Sequence, residues 1–388
     1  MTRLIKVLVR ASGDKRSRVG GGLLAIQDKI LQLERLGVDV TIDLKNQQSP
    51  ELYDLIHIQH TIHDVYEVYH QVLEAIKWRK PIVLKPFYNP IRDIDNYLRM
   101  GQTYFVRMVY KLLNNINSYL KLRGIFYSLN DRNYLTVIKK IFSDYHKQQI
   151  AILKNSFLIP DSYFELKYLE QEARITIKNF KIVHASACIN DDLKNTSTSI
   201  FFNKYRITDF VLCAGRIEPL KNQVKLINAL SKCTLNIVIA GTLVTTHKAY
   251  TKEFLNLVEN TSNVYWIGPL SREMLYSAYK NAHVVVIPSW TETAGMTGLE
   301  GGYFDCNIAV TERGGCREYF KENAWYMDPG DPDSIRQAVL DAYKSPKGIR
   351  SFKERINTEF SLEKTSEDLY DAYIKAIENY NQKLNQWF

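Results

Sequence analysis

Residues 283–300, HVVVIPSWTETAGMTGLE, place a short apolar run directly before a polar, glycine-containing loop. The run at 283–287 is rich in valine and isoleucine, as is typical of a buried strand. We expect a helix to begin near the glycine at 295, so the stretch predicts a strand, a loop and a helix in that order. Ligands of parallel sheets bind beyond the carboxyl ends of the strands, which makes this loop a place to search for function.

The same alternation of apolar runs and helical periodicity extends along the whole chain. We predict strands at 4–9, 38–44, 55–58, 82–84, 157–159, 182–183, 210–214, 235–240, 264–267, 283–287 and 308–311. Short apolar strands that alternate with helices indicate parallel, doubly wound sheets. The pattern therefore predicts an α/β protein with two facing Rossmann-like domains and a cleft between them.

The length of 388 residues exceeds what one ordinary core fills and fits two domains. A polar stretch without periodicity near residue 190 indicates a linker. We predict domains at 1–190 and 209–360, a linker at 191–208, and a C-terminal helix within 361–388 that packs back on the first domain.

The composition, 45% apolar and 24% charged, is that of a soluble globular protein. The chain contains no run of eighteen apolar residues, so no membrane-spanning helix is predicted. The first ten residues lack the features of a signal peptide. We therefore expect a cytoplasmic protein. The five cysteines show no C-x-x-C spacing, which indicates reduced thiols rather than a zinc site.

The net charge of +9 is concentrated in residues 101–154, where nine basic residues stand against two acidic ones. Aromatic residues are interleaved with these bases. Such a segment suits an anionic membrane surface, and it could also suit nucleic acid. A helical insert with a solvated basic face is an equally weighted alternative.

Two cations lie on the loop after the predicted strand at 210–214. Gly215, Arg216 and Lys221 form a G-R-x4-K pattern before the next predicted helix. Cations beside the free N–H groups of a helix N-terminus suit a diphosphate. The alternative is a capped helix with surface bases.

Two carboxylates, Glu292 and Glu300, are separated by seven residues in the stretch quoted above. Carboxylates accept hydrogen bonds from pairs of sugar hydroxyls, so one could hold a hexose and the other a ribose. Gly295 between them lets the backbone approach a ligand closely. The alternative is two unrelated surface glutamates.

Taken together and in this order, these motifs are specific. Residues 210–343 resemble the donor-binding domain of the GT4 family of retaining glycosyltransferases, whose architecture is named GT-B. The resemblance rests on G-R-x4-K, on E-x7-E, on N-V-x3-G at 263–268, on P-S at 288–289 and on G-G-x-x-E at 314–318. It covers about a third of the chain.

The resemblance implies a role for each matched side chain. Arg216 and Lys221, next to Gly215, would bind the diphosphate of a nucleotide-diphosphate sugar and stabilise the leaving group. Glu292 would contact the donor sugar, and Glu300 would hold the ribose.

The resemblance also implies backbone contacts and a type of reaction. Backbone groups of Gly295, Met296 and Thr297 would contact the phosphate or the sugar, and the region 266–269, which contains Gly268, would face the base. The reaction would retain the anomeric configuration, and we expect no cofactor and no essential metal.

The first half carries weaker signals. Gly20, Gly21 and Gly22 follow the first predicted strand and open a helix, as in the N-terminal domain of the family, where they would face the donor. His60 resembles the histidine that ends a strand of that domain and is our candidate catalytic residue there, with His63 as a weaker one. A structural histidine is the alternative.

Two features depart from the family pattern, and a third spells a metal-binding motif outside its usual place. The family often has a histidine after the strand at 82–84, where this chain has residues 85–88, KPFY, and Ala294 stands where an aromatic residue is usual. Asp93 and Asp95 spell the D-x-D of metal-dependent glycosyltransferases, but they follow no nucleotide-binding strand. We interpret this pair as solvated.

We therefore expect a retaining glycosyltransferase that transfers a sugar to a hydroxyl of a glycan or a lipid-linked glycan in cell-surface polysaccharide synthesis. Peripheral contact with an anionic membrane stays an alternative to a solvated basic face, and nucleic-acid binding is not expected. The alternative is a non-catalytic subunit of the same fold that binds nucleotide or glycan and supports a partner enzyme.

Overall fold

The computed structural model of the chain describes residues 4–11, 26–60, 64–88, 108, 111–112, 144–187, 189, 192–245 and 247–385. The chain divides into two compact units. The first contains the described residues up to 88, residues 144–186 and the residues from 362 on, and the second consists mainly of residues 187–361.

The first unit is built on a parallel five-stranded sheet with the order β2-β1-β3-β4-β5. Its strands are β1 (Ile5–Ala11), β2 (Val38–Asp43), β3 (Leu55–Gln59), β4 (Ile82–Lys85) and β5 (Phe157–Leu158). Its helices are α1 (Ile30–Arg35), α2 (Val65–Lys77), α3 (Tyr145–Asn155), α4 (Tyr163–Ala173) and the C-terminal helix, which is labelled α13 (Leu362–Asn385) to keep chain order. The central strand β3 is buried along its whole length, as expected when helices cover both faces of a parallel sheet.

The second unit is built on a parallel six-stranded sheet with the order β11-β10-β9-β6-β7-β8. Its strands are β6 (Phe210–Ala214), β7 (Ile237–Ala240), β8 (Val264–Trp266), β9 (Ala282–Ile287), β10 (Asn307–Thr311) and β11 (Ala324–Met327). Its helices are α5 (Ser199–Tyr205), α6 (Gln223–Leu230), α7 (Lys248–Glu259), α8 (Arg272–Asn281), α9 (Met296–Tyr303), α10 (Cys316–Phe320), α11 (Pro332–Lys344) and α12 (Lys353–Glu359).

The strand order of the second sheet reverses between β6 and β9. The chain runs outward in one direction from β6 to β8 and in the other from β9 to β11. The loops that leave β6 and β9 therefore lie side by side at the carboxyl edge, the usual ligand position of doubly wound sheets. These are the loops that carry the G-R-x4-K and E-x7-E patterns.

The C-terminal helix α13 belongs to the first unit. Leu369, Ala372, Tyr373 and Ala376 are buried in the same core as side chains of β1 and β4. The hydroxyl of Tyr373 lies 2.8 Å from Nδ1 of His57 on β3. Burial lowers the pKa of His57 to about 3, so this ring is neutral and structural at physiological pH.

The structure differs from the sequence prediction in three places. The predicted linker 191–208 contains helix α5, which packs on the second unit because Phe201 is buried there and its N–H bonds Oγ of Ser277 at 2.9 Å. Residues 182–183 form no strand, since isolated backbone bonds from Lys181 to Leu158 and from Val183 to Pro160 take the place of a ladder. Strand β11 was not predicted, because half its side chains are partly exposed and its apolar run is short.

Candidate functional site

The loop after β6 brings a lysine and an arginine to the carboxyl edge of the second sheet. Gly215 and Arg216 leave the strand, and a short 3-10 turn at Pro219–Lys221 follows. Asn222 ends that turn in the left-handed conformation with φ of 60°. Its side-chain amide donates to the carbonyls of Pro288 at 3.0 Å and Pro329 at 2.9 Å, which fixes this loop against the one after β9.

The loop after β9 holds Glu292 by its backbone. The carbonyl of Glu292 accepts a hydrogen bond of 2.8 Å from the N–H of Gly315. Gly314, with φ of 85°, lies so close that a Cβ there would stand 1.9 Å from the Glu292 carbonyl oxygen. Only glycine fits this approach, so the G-G-x-x-E pattern serves to support Glu292 from the neighbouring β10 loop.

The two loops meet in an ion pair. Nζ of Lys221 lies 2.5 Å from Oε1 of Glu292, and the hydroxyl of Ser289 donates to the same oxygen at 2.6 Å. Within the part of the chain that the structure describes, no hydrogen bond reaches Oε2 of Glu292. One carboxylate oxygen is thus held by two donors while the other remains available to a ligand.

The electrostatics of this pair keep Lys221 charged. Burial opposes the charge of Lys221, but the adjacent Glu292 carboxylate outweighs it, and the pKa of Lys221 is raised. The side chains are 28% and 14% exposed, so the pair is reachable from solvent. A charged lysine that a ligand can reach suits a role in binding an anion.

Arg216 extends further into solvent. Its side chain is 58% exposed, and Nη2 lies 2.8 Å from Oε1 of Glu218, which is only 10% exposed. Sequence reasoning gave Glu218 no role.

Glu300 lies one helix further, on α9, and is largely buried. The hydroxyl of Tyr279 donates to its Oε2 at 2.9 Å, and Nη1 of Arg272 lies 3.5 Å from its Oε1. Burial and the nearby carboxylate raise the pKa of Tyr279, so this hydroxyl stays protonated and keeps donating. Tyr279 and Arg272 therefore fix the orientation of the carboxylate, and neither was predicted from the sequence.

The predicted backbone contacts map to the start of α9 and to the end of β8. Gly295 precedes α9 in the left-handed conformation with φ of 69°, and Met296 and Thr297 are among the first helical residues. The N–H groups of a first helical turn have no acceptor inside their own helix, which suits an anionic ligand. Gly268 has φ of 72°, and its carbonyl accepts from the N–H of Gly241 at 2.8 Å.

Trp266, within the region predicted to face the base, packs inward instead. Its indole N–H donates to the carbonyl of Gly241 at 3.1 Å, and its ring meets that of Phe254 edge-on. The side chain of Trp266 therefore packs against the hydrophobic core of the second unit.

In the first unit, His60 follows β3 at the carboxyl edge of its sheet. It is buried, and its Nε2 lies 4.0 Å from Oδ2 of Asp64. The structure brings no other predicted site residue of this unit beside it, because Gly20, Gly21, Gly22 and His63 lie outside the described residues. Asp93, Asp95 and most of the basic segment 101–154 also lie outside them.

The end of β4 carries a buried polar cluster that sequence reasoning did not foresee. Nζ of Lys85 lies 2.5 Å from Oδ1 of Asp161 and 2.9 Å from the carbonyl of Val183. The Glu165 carboxylate accepts from the N–H groups of Tyr88 at 2.7 Å and Asp161 at 2.5 Å. Burial, reinforced by the charge of Asp161, raises the pKa of Glu165 to about 7.

Among the described residues, no group of three or more histidine, cysteine, aspartate or glutamate side chains is arranged to hold a metal ion. In the same part of the chain, no helix is long and apolar enough to cross a membrane. Cys213, Cys306 and Cys316 are buried, and burial raises the pKa of each thiol.

Residues 199–358 match the family described as glycosyl transferases group 1. An uncharacterized glycosyltransferase of Methanocaldococcus jannaschii is 28% identical over 43% of this chain and 45% of its own length. The D-inositol 3-phosphate glycosyltransferase of Mycolicibacterium smegmatis is 25% identical over 45% of this chain and 42% of its own length. The chain thus spans less than half the length of these relatives.

Solved structures resemble nearly the whole chain. The match with the sucrose-phosphate synthase of Thermosynechococcus elongatus covers 97% of this chain and 100% of the synthase chain. Its TM-score is 0.69, at 14% identity. The match with Anabaena HepE in complex with UDP-glucose covers 98% of this chain and 100% of the HepE chain. Its TM-score is 0.64, at 14% identity. These likenesses show the fold, and they confirm the prediction of two Rossmann-like units in a GT-B protein.

Proposed function

We propose that the chain transfers a sugar from a nucleotide-diphosphate sugar to a hydroxyl, on the premise that residues 199–358 match the glycosyl transferases group 1 family. The observation that carries the proposal is the meeting of Lys221, Ser289 and Glu292 at the switch point of the second sheet. A carboxylate with one fixed and one available oxygen, beside a charged lysine, suits a sugar joined to a phosphate.

Each group at this edge has a distinct task in the proposed reaction. Oε2 of Glu292 accepts hydrogen bonds from hydroxyls of the donor sugar. Arg216 and Lys221 stabilise the negative charge that develops on the diphosphate as the glycosidic bond breaks. Glu300, oriented by Tyr279, accepts hydrogen bonds from the ribose hydroxyls.

The proposed chemistry retains the anomeric configuration and needs no metal. The bond between the anomeric carbon and the phosphate oxygen breaks, and the acceptor oxygen bonds that carbon on the same face. The acceptor proton passes to the departing phosphate. Glu292 is held at Oε1 by two donors and serves as a sugar ligand, unlike the nucleophile of retaining glycosidases.

The proposed acceptor is a glycan or lipid-linked glycan of a cell-surface polysaccharide. The basic, aromatic segment 101–154 supports contact with an anionic membrane. A relative that is 22% identical over 52% of this chain and 62% of its own length is the O-antigen chain mannosyltransferase of Salmonella typhimurium. We expect the protein to float with vesicles that contain an anionic lipid; absence of binding at low salt would remove the membrane part of the proposal.

The donor proposal is tested by isothermal titration with UDP-, GDP-, ADP- and dTDP-sugars. We expect wild type to bind sugars of one base, and Glu300→Ala and Glu300→Gln to bind them at least about tenfold more weakly. Glu359→Gln is the matched control, because its carboxylate pairs with Arg355 at 3.0 Å on α12, on the same unit. A folded wild type that binds none of the four donors would contradict the proposal.

A second candidate is a non-catalytic subunit that binds a nucleotide sugar and supports a partner enzyme. It is favoured by the buried pair of Lys85 and Asp161, which occupies the region where the family often has a histidine. Turnover separates the two: this candidate predicts donor binding without release of nucleoside diphosphate.

A further inference from the structure

The loop after β6 contains a carboxylate that the proposed function does not use. Glu218 lies between the two cations assigned to the donor diphosphate. Its Oε1 is 2.8 Å from Nη2 of Arg216, and its charge also acts to raise the pKa of Lys221. Lys221 is paired with Glu292 in the same way. The two cations and the two carboxylates of these pairs therefore carry no net charge before a donor arrives.

Among the described residues, the side chain of Glu218 makes no hydrogen bond that accounts for its burial. Glu218 precedes the turn at Pro219–Lys221, but its side chain makes no capping hydrogen bond there. Its Oε1 is buried and makes no well-aligned hydrogen bond among the described residues, although Nη2 of Arg216 is near. Burying a carboxylate beside one loosely oriented cation costs free energy.

The pair is asymmetric. The Glu218 side chain is 10% exposed, whereas the Arg216 side chain is 58% exposed. Arg216 can therefore change partners while Glu218 stays in place. A diphosphate that enters the site would take the guanidinium and leave a buried carboxylate close to a second anion.

We infer that Glu218 is an internal counterion that competes with the donor diphosphate for Arg216. The inference rests on the proposed function and adds to it that Glu218 weakens nucleotide binding and speeds release of the nucleoside diphosphate. Glu218 is thus a residue that acts through Arg216 and makes no bond to the substrate. Product release limits the rate of many enzymes, so such a device acts on turnover as well as on affinity.

The test compares Glu218→Gln, which is isosteric but uncharged, with Glu218→Asp and with the control Glu359→Gln. UDP, GDP, ADP and dTDP are titrated into each protein, and release of the tightest binder is followed by stopped flow. We expect Glu218→Gln to bind about three- to tenfold more tightly and to release more slowly, because one nearby negative charge is gone. Glu218→Asp keeps the charge, so its affinity should lie near that of wild type.

The same comparison is repeated at high salt, where the gain in Glu218→Gln should shrink because screening weakens the repulsion. Unchanged or weaker binding by Glu218→Gln, while wild type and Glu359→Gln bind normally, would overturn the inference and leave the proposed function intact. If wild type, Glu359→Gln and both Glu218 variants bind none of the four diphosphates, the proposed function fails and the inference falls with it. Thermal melting of each variant establishes that the fold is kept.

Discussion

Each unit of this protein places a lysine–carboxylate pair at the carboxyl edge of its sheet, and the two pairs differ in burial. Lys85 and Asp161 in the first unit are 2.5 Å apart with side chains 11% and 5% exposed. Lys221 and Glu292 in the second are also 2.5 Å apart, but their side chains are 28% and 14% exposed. The same contact can therefore serve as support in one unit and as a ligand site in the other.

The partners of the two lysines explain the difference. Lys85 also donates to the carbonyl of Val183, so its pair joins the end of β4 to the loop after β5 and to the segment that follows α4. Glu292 instead leaves Oε2 without a bond among the described residues. A closed pair holds loops together, whereas an open pair can exchange a partner with a ligand.

The sharpest way to break this comparison is to remove each lysine. We expect Lys85→Met to lower the free energy of unfolding by about 3–5 kcal/mol, because it removes the lysine counterion of the buried Asp161 carboxylate. Lys221→Met should cost less than about 1.5 kcal/mol, because water reaches Glu292. Urea denaturation measures both values.

Equal losses of stability in the two lysine variants would contradict the distinction. Asp161→Asn serves as the matched control for Lys85→Met, and the double variant gives the coupling energy of the pair. Lys221→Met should also weaken nucleoside diphosphate binding, which Lys85→Met should change little if the fold is kept.

The pH dependence of stability sharpens the comparison further, because Glu165 lies beside the buried pair. Its pKa of about 7 in the folded protein exceeds the ordinary 4.5, so the folded state binds more protons between these values. The contribution of Glu165 to the free energy of unfolding is therefore fully present below about pH 4.5. It falls by roughly 3 kcal/mol as pH rises to about 7. Lys85 and Asp161 are the charged groups that face it.

Glu165→Gln should flatten this slope, since the amide does not titrate. Denaturation of wild type and of Glu165→Gln at pH 5, 6, 7 and 8 measures the effect, and Glu359→Gln is the surface control. A wild-type stability that rises over this range by the same amount in both proteins would show that other groups control it.

Ser289→Ala gives the smallest of these effects and concerns the open pair. We expect about a tenfold loss of turnover with little change in stability, because Glu292 loses one of the two donors that orient it. In a Glu292→Gln background the same change should have almost no further effect, because the carboxylate it orients is gone. An equal loss in both backgrounds would assign Ser289 a role apart from Glu292.

The sequence predicted the regular parts of the fold because they are encoded locally. Strand β6 was predicted with its observed bounds, since a continuous apolar run suffices for a buried parallel strand. Helix α5 was not, because its position depends on contacts with other elements: the ring of Phe201 stacks on Phe210 of β6, and its N–H donates to Oγ of Ser277 on α8. Local sequence pattern therefore predicts central strands better than it predicts helices whose position depends on contacts distant in sequence.

The residues of the candidate site also fall into a part that the sequence predicted and a part that only the structure shows. The patterns that contain Lys221, Glu292 and Glu300 could be read from the sequence, and the structure brings Lys221 and Glu292 together across 71 positions. The bond of Tyr279 to Glu300 depends on how α8 and α9 pack, which no spacing in the chain encodes. The Lys85 cluster follows no pattern at all, so only the structure reveals it.

The most direct test of the account measures release of nucleoside diphosphate from UDP-, GDP-, ADP- and dTDP-sugars, with water as the acceptor, by wild type and by Glu292→Gln. We predict that wild type consumes sugars of one base and that Glu292→Gln, while still binding the nucleoside diphosphate, is at least about 100-fold slower. Equal rates in the two proteins would contradict the assignment of the reaction to Glu292. Binding without consumption by wild type would contradict the enzyme and leave the non-catalytic subunit.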